Sequence, residues 1–421
     1  MRTSGWWLRR LLFAALYFSE GAPIGYLWWA LPVRLESAGL PIDRITSLTA
    51  LLVLPWTFKF LMAPLVDAVR GPRWGLRHWI IASQWLMTLT LLPLLRFSPG
   101  DSFEVFRNWL LLHACAAATQ DVAIDALCID MTPAHERGRI NGWMQAGMLL
   151  GRALLGGGAL VMERHLGSTN VLWLLIGSVF GTSLLLIMIP APWLSGPSSA
   201  DDSSIPLNDV SDSDVDQSRL QRLWLGLQNA AGSVSTWLGL GLILTAGAAF
   251  EGYGSVQGPF LKSLGWDANE IGWWYAGPVV VGMLTGSLLG GWLADRFGHG
   301  RVTTVAIVLA GTSVASLASL PWLSTQGAAA SWLSIGLLAW EPVCVGLLTA
   351  SIYSLLMDLT DPRVAATQFS LFMAAGNGCE AWAAWLAGEW IAQRGYSWTF
   401  LSLAGMSLCS LLWLVLLQRR R

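Results

Sequence analysis

Apolar residues in this chain run in stretches of about twenty, separated by short polar breaks. A helix needs about 20 predominantly apolar residues to cross the hydrocarbon of a bilayer. On that measure the sequence predicts twelve crossings, at roughly 11–33, 46–66, 78–97, 107–129, 140–162, 171–190, 237–260, 271–293, 302–321, 331–357, 365–388 and 397–417. An even number puts both termini on one side. The first stretch follows Arg2, Arg9 and Arg10 and has the outline of a signal peptide. It continues to about Val33 through Glu20 and Pro23, and it has no small-x-small cleavage site, so it is expected to remain as the first span.

The basic residues set the direction, because cytoplasmic loops carry the excess of Lys and Arg. With the N-terminus inside, sixteen of them fall on the cytoplasmic side, Arg77, Arg137, Arg139 and Arg219 among them, against seven outside. Lys59 and Arg152 remain within spans. Composition agrees with the spans: 54% of residues are hydrophobic and only 12% are charged, where a soluble chain carries about 25%. The 26 tryptophans suit a protein with two membrane–water interfaces. Basic and acidic residues nearly cancel, 25 against 26, which leaves no basic face for nucleic acid. Cys115, Cys128, Cys344, Cys379 and Cys409 lie in apolar runs without paired spacing and read as small core residues.

Residues 195–222 break the pattern. They are rich in Ser, Asp and Pro and cannot bury enough apolar surface to order themselves. Asp212, Asp214 and Asp216 begin like a calcium loop, but the sixth position is Gln217 and the twelfth is Leu223, so no calcium is expected. The stretch reads as an acidic cytoplasmic linker between an N-terminal bundle, 1–194, and a C-terminal bundle, 223–421.

The two halves repeat. An offset of about 228 places Asp67 on Asp295, Asp130 on Asp358, Arg152 on Glu380 and His113 on Glu341, while Glu20-Gly21 finds Glu251-Gly252 after a small gap. Six plus six parallel repeats about an axis along the membrane normal are the plan of the major facilitator superfamily. The interior ionisable residues point the same way. Each costs about 2.5–3.5 kcal/mol in hydrocarbon unless it faces a cavity or a partner. Glu20, Lys59, His113, Asp121, Asp125, Arg152, Glu251, Glu341 and Glu380 fall on spans 1, 2, 4, 5, 7, 10 and 11. Spans 3, 6, 9 and 12, the peripheral helices of that plan, have none. The fold class is therefore an all-α membrane protein of twelve helices in two pseudo-symmetric six-helix bundles.

Three stretches narrow the resemblance. FSEGAP (18–23), FKFLMAPLVDAVRGPRWGLR (58–77) and ATQDVAIDALCIDMTPAHERGRINGWMQAGMLLGR (118–152) resemble the AmpG-type permeases of that superfamily, a likeness that extends over essentially the whole chain. GWLADRFGHGR (291–301) is close to the superfamily's general loop motif, whereas 58–77 lacks the usual Gly before the Asp. The resemblance implies proton-driven import of anhydro-muropeptides, the fragments of cell-wall recycling, across the inner membrane. Acetyl-CoA and folate–biopterin transporter groups share much of the pattern.

Individual residues carry expected roles. Glu20 and Glu251 occupy matched positions, where a carboxylate in a partly wet cavity either exchanges a proton or ties helices together. Asp121 and Asp125 are four apart on one helix face with Gln120 beside them, so either one holds a proton or a cation such as Lys59 or Arg152 answers them. Arg152 is the best carboxylate ligand, or else half of an internal ion pair. Gln120, His113, Glu341, Glu380 and Lys59 complete the candidate substrate set. Asp67, Arg70 and Arg73, with Asp295, Arg296 and Arg301, end spans on the cytoplasmic face and read as gate elements or as plain topology signals. Glycines 147 and 151, with 282, 286 and 290, form ridges expected to meet where spans five and eight cross, or to serve close packing generally.

Enzyme motifs fail: His135-Glu136 lacks a second zinc-binding His at 139, no GxSxG elbow occurs, and no P-loop is present. The sequence therefore predicts a secondary active transporter and not an enzyme, without cofactor or metal. Its partners are a small-molecule solute, protons and the lipid bilayer, and it is expected to be a monomer with both termini cytoplasmic. A facilitator for another carboxylated or phosphorylated metabolite, and a non-transporting receptor on the same fold, are the other readings.

Overall fold

Backbone polar groups in hydrocarbon must be satisfied within the segment that carries them, which favours helix wherever the apolar runs lie. The computed structural model describes residues 2–59, 61–62, 66, 69, 74–96, 103–132, 137–190, 232–326, 328–360 and 365–419, and among them there is no strand. The helices are α1 (Arg2–Gly25), α2 (Leu31–Ser37), α3 (Ile42–Thr57), α4 (Leu76–Leu91), α5 (Phe103–Met131), α6 (Arg137–Arg152), α7 (Gly158–Leu166) and α8 (Ser168–Met188). There follow α9 (Val234–Ala246), α10 (Ala248–Ser263), α11 (Ala268–Trp274), α12 (Val280–Phe297), α13 (His299–Leu317), α14 (Leu320–Leu323), α15 (Ala328–Asp358), α16 (Ala365–Cys409) and α17 (Leu411–Gln418). Three π-helical turns, Tyr26–Ala30, Ala153–Gly157 and Tyr275–Val279, join α1 to α2, α6 to α7 and α11 to α12.

Among the described residues nine helical stretches are long and apolar enough to cross a membrane, from Leu76–Leu95 to Gln368–Gln418. The last is 51 residues long. At about 1.5 Å per residue it exceeds a ~30 Å hydrocarbon layer more than twofold. It turns at Gly395, whose φ of 78° and ψ of 173° only glycine adopts without strain. The linker at 195–222, together with Asp67, Arg70 and Arg73, lies outside the described residues.

Cα packing divides the chain into two units. One comprises Met1–Leu40, Phe58–Pro206 and Gly265–Gly277, the other Pro41–Thr57, Leu207–Leu264 and Pro278–Arg421. In the first, α1 lies against α6 at backbone contact. A Cβ on Gly147 would strike the Ala14 carbonyl, one on Gly21 the Met148 carbonyl, and one on Gly151 the Phe18 oxygen at 2.6 Å. In the second, α12 lies equally close to α15: Gly286 faces the Val343 carbonyl, Gly346 the Met283 carbonyl, and Gly290 the Leu347 oxygen at 2.6 Å.

These contacts correct the expectation for the glycine ridges. Spacing showed a small-residue face on each helix but not the partner, and the partners are α1 and α15. Spans five and eight do meet, within the first unit, through other glycines: a Cβ on Gly157 would lie 2.6 Å from the Gly272 oxygen, and one on Gly272 2.6 Å from the Gly157 oxygen. The aromatic rings of Trp29 and Tyr275 stack beside them at 5.1 Å and 4°. Of the cysteines, Cys128, Cys344 and Cys379 are buried and Cys115 is partly so, but Cys409 is exposed. A membrane helix turns apolar side chains outward to lipid, so an apolar run does not by itself imply burial.

Overpacking a tight contact costs about 1–3 kcal/mol and more when the obstacle is backbone. Gly147→Val and Gly286→Val should therefore each lower the melting temperature of the detergent-solubilised protein by several degrees. Gly177→Ala, which meets nothing within 4 Å, should leave it unchanged or raise it slightly, since Ala favours helix over Gly by about 1 kcal/mol. Equal melting of Gly147→Val and wild type would rule out the close α1–α6 approach.

Candidate functional site

The spacing of α5 brings its acidic residues to one place. Asp121 and Asp125 are four residues apart and share a face. Both receive the hydroxyl of Tyr17 from α1, with its oxygen 2.6 Å from Asp125 Oδ1 and 3.3 Å from Asp121 Oδ1. Lys59, two residues beyond α3, sends its Nζ to Asp121 Oδ2 at 3.0 Å. Of the alternatives left by the sequence, the cation at Asp121 is Lys59, while Asp125 accepts from the Tyr17 phenol.

Glu20 stands one turn beyond Tyr17 on α1 and is 1% exposed. Its Oε2 has no hydrogen-bond partner among the described residues. The charges acting on it are those of Asp121, Asp125, Lys59 and Arg152. Arg152 ends α6 immediately before the π-turn Ala153–Gly157, and its backbone lies against Gly25 of α1, where a Cβ would sit 2.5 Å from the Arg152 Cα. Glu20, Lys59, Asp121, Asp125 and Arg152 therefore form one cluster inside the first unit: three carboxylates, two cations and a bridging phenol. A buried ion pair missing one member is expensive, so such a cluster holds its helices in register.

Other predicted residues lie elsewhere. Gln120 is wholly buried, and His113, 1% exposed, packs on α4 rather than in the charge cluster. In the second unit, Glu251 and Glu380 are half-buried and flank Cys379. Glu341 is buried at the residue before Pro342, near Cys344. Asp295, Arg296 and Arg301 are exposed. The Arg296 guanidinium lies over the Trp292 and Phe297 rings at 5.6 and 5.7 Å. Asp295 contacts His299 Nε2 at 3.6 Å, while His299 Nδ1 lies 2.7 Å from Asp358 Oδ2, so one imidazole links the ends of α12 and α15. No group of three or more His, Cys, Asp or Glu side chains suited to a metal occurs among the described residues.

Two members of these clusters escaped the sequence reading. Tyr17 precedes Glu20 by three residues, so it shares the face of a residue already singled out. His299 stands inside the quoted loop motif at 291–301.

The family model of the Major Facilitator Superfamily matches residues 13–378 and 240–421. The anhydromuropeptide permease of Escherichia coli (strain K12) is 26% identical over 398 residues, 93% of this chain and 76% of that protein. A putative transporter, AmpG 4 of Rickettsia conorii, is 23% identical over 403 residues, 91% of this chain and 90% of its own. Among solved structures, a D-xylose–proton symporter superposes with a TM-score of 0.70 at 14% identity, covering 98% of this chain and 97% of that one.

Removing Lys59 strands Asp121 in a poorly hydrated site. Lys59→Met should lower stability by up to about 3 kcal/mol, less than for a fully buried pair because the Lys59 side chain is 24% exposed. The double variant Lys59→Met/Asp121→Asn should recover most of that loss in a thermal melt. An additive double variant would show that the two groups do not pair.

Proposed function

The chain belongs to the Major Facilitator Superfamily, resembles its AmpG-type permeases and is a multi-pass membrane transporter; from that premise we propose that it imports, with protons, an anionic solute containing sugar or peptide, of the anhydro-muropeptide kind. In this reading twelve helices form two six-helix bundles joined by the linker at 195–222. Both termini are cytoplasmic, the membrane is the inner one, and the working unit is a monomer. The name of the Escherichia coli relative supports the substrate class.

One observation carries the proton: among the described residues the cluster in the first unit has one carboxylate more than it has cations. Net charge in a poorly hydrated site is costly, and a proton on Glu20, the carboxylate whose Oε2 is unmatched, restores balance. Import then couples through Arg152. The proton on Glu20 also frees Arg152 from that carboxylate, and the guanidinium then takes the carboxylate of the solute. Solute anion and proton thus enter together, and both leave when the site opens inward. Lys59 holds Asp121 throughout, so the exchange falls on Glu20 and Asp125.

Proteoliposomes under an inward proton gradient test this reading. Wild type should accumulate anhydro-muropeptide, and a protonophore should abolish accumulation. Glu20→Gln should cut gradient-driven accumulation at least tenfold while leaving solute exchange intact. If Glu20→Gln accumulates normally, the proton role of Glu20 is excluded; uptake indifferent to the gradient in wild type would favour a facilitator for a carboxylated or phosphorylated metabolite.

Arg152 gives an independent check. An ammonium cannot present the two-pronged face of a guanidinium, so Arg152→Lys should weaken solute binding about tenfold in protein that is folded and monodisperse. Normal affinity together with a lower melting temperature would make Arg152 a structural charge only.

A further inference from the structure

α4 and α5 follow one another along the chain and pack side by side, with His113 of α5 against Met87 and Thr90 of α4. Its Nδ1 lies 3.1 Å from Thr90 Oγ1 and 3.2 Å from the Met87 carbonyl. The single hydroxyl hydrogen of Thr90 is engaged by its own helix, with the Leu86 and Met87 carbonyls each 2.9 Å away. A carbonyl only accepts. These partners assign the ring hydrogen to Nδ1 and leave Nε2 a bare acceptor. That acceptor is buried and has no partner among the described residues.

The same seam contains more of these atoms. Gln84 of α4 is wholly buried; its amide donates to Ser19 Oγ of α1 at 3.0 Å, and its Oε1 has no partner among the described residues. Gln120 of α5 is wholly buried, and neither its Nε2 nor its Oε1 has a partner among the described residues. Gln120 stands seven residues, about 10 Å, beyond His113. In an antiparallel pair that is level with Ile80 to Ser83, next to Gln84. Ser19 is adjacent to Glu20, whose Oε2 is also unmatched. Each such buried atom left without a partner costs about 1–3 kcal/mol. The polar side chains named here, Gln84, Ser19, Gln120, Thr90 and a neutral His113, carry no charge, which suits neither an anion nor a metal ion. Three acceptors and one amide with two hydrogens fit a small molecule that both donates and accepts, which is water.

We propose that His113, Gln84 and Gln120 hold a short file of internal water between α1, α4 and α5, and that this file carries protons to Glu20. The relay rests on the proton-coupled reading above. Each water passes one hydrogen along the file and takes another behind it, so a proton entering at the His113 end appears on the Glu20 carboxylate with no net change in between. His113 and Gln84 position the water and do not touch the solute.

Two measurements on the full chain in lipid separate the water from its role. Radiolytic hydroxyl labelling in ¹⁸O-water modifies side chains that touch bound water even where bulk solvent is excluded. His113 should be labelled, and Met144, more reactive but packed in the apolar core, should not. Gln84→Leu should reduce labelling of His113 at least fivefold; no labelling in wild type overturns the file.

In proteoliposomes, Gln84→Leu should slow gradient-driven accumulation at least tenfold with solute exchange unchanged. Gln84→Ser, which keeps a hydroxyl and leaves room for one more water, should restore most of the rate. Equal losses of exchange and accumulation, without rescue by Ser, overturn the relay and make the seam packing alone. If wild type shows labelled His113 but no gradient-driven accumulation, the water file stands and both the proton-coupled reading and the relay fall.

Discussion

An ionised group in hydrocarbon has to be answered from within the protein, and in this chain that requirement decides which helices stand together. Asp121 draws Lys59 from the segment after α3 and Tyr17 from α1, so two separate stretches converge on α5. Tyr17 in turn places Glu20 one turn further along α1, beside the end of α6 that carries Arg152. Apolar packing alone supplies little preference here, because lipid tails offer a helix much the same contacts as another helix does. What the charges leave undecided is settled by close backbone approach. Gly21, Gly147 and Gly151 bring α1 and α6 together at distances that no larger residue permits.

This division of labour places close backbone contact next to the charge cluster. The π-turns Tyr26–Ala30 and Ala153–Gly157 follow directly after the α1–α6 contact, and a third, Tyr275–Val279, follows α11. A π-turn inserts a residue into the helical ladder, and such turns gather at functional sites. Here one begins at the residue after Arg152 and meets Gly25 and Trp29 through Gly156. The cation proposed to exchange its carboxylate thus sits where the helix departs from ideal winding.

Run length and repetition made the fold class readable in advance, since a helix must span the hydrocarbon whatever its detailed sequence. The charged members of the site were readable for the related reason that charge in an apolar run is costly. Pairing was not. Asp121 and Asp125 could be placed on one face, but whether Lys59, Arg152 or a proton answered them depends on how α1 and α5 pack. Tyr17, Gln84 and Ser19 went unnoticed because uncharged polar side chains occur in many membrane helices without function. The glycine ridges were visible by spacing and assigned to the wrong neighbours, because spacing names a face and not what lies opposite. Asp67, Arg70, Arg73 and the acidic linker remain expectations of the sequence.

The internal repeat also shows where duplication of the scaffold stops being duplication of chemistry. At the offset that superimposes Asp67 on Asp295, Lys59 corresponds to Ser287, Asp121 to Thr349, Asp125 to Tyr353 and Arg152 to Glu380. Every charge of the first cluster is therefore neutralised or reversed in the second half, although Glu20 retains a counterpart in Glu251. Thr349 turns its hydroxyl back to the Val345 carbonyl at 2.9 Å, satisfying within one helix what Asp121 satisfies across three segments. Matched position alone made Glu20 and Glu251 equal candidates for the proton. The proposal that Glu20 carries the proton rests instead on the charge cluster of the first unit, to which position in the repeat contributes nothing.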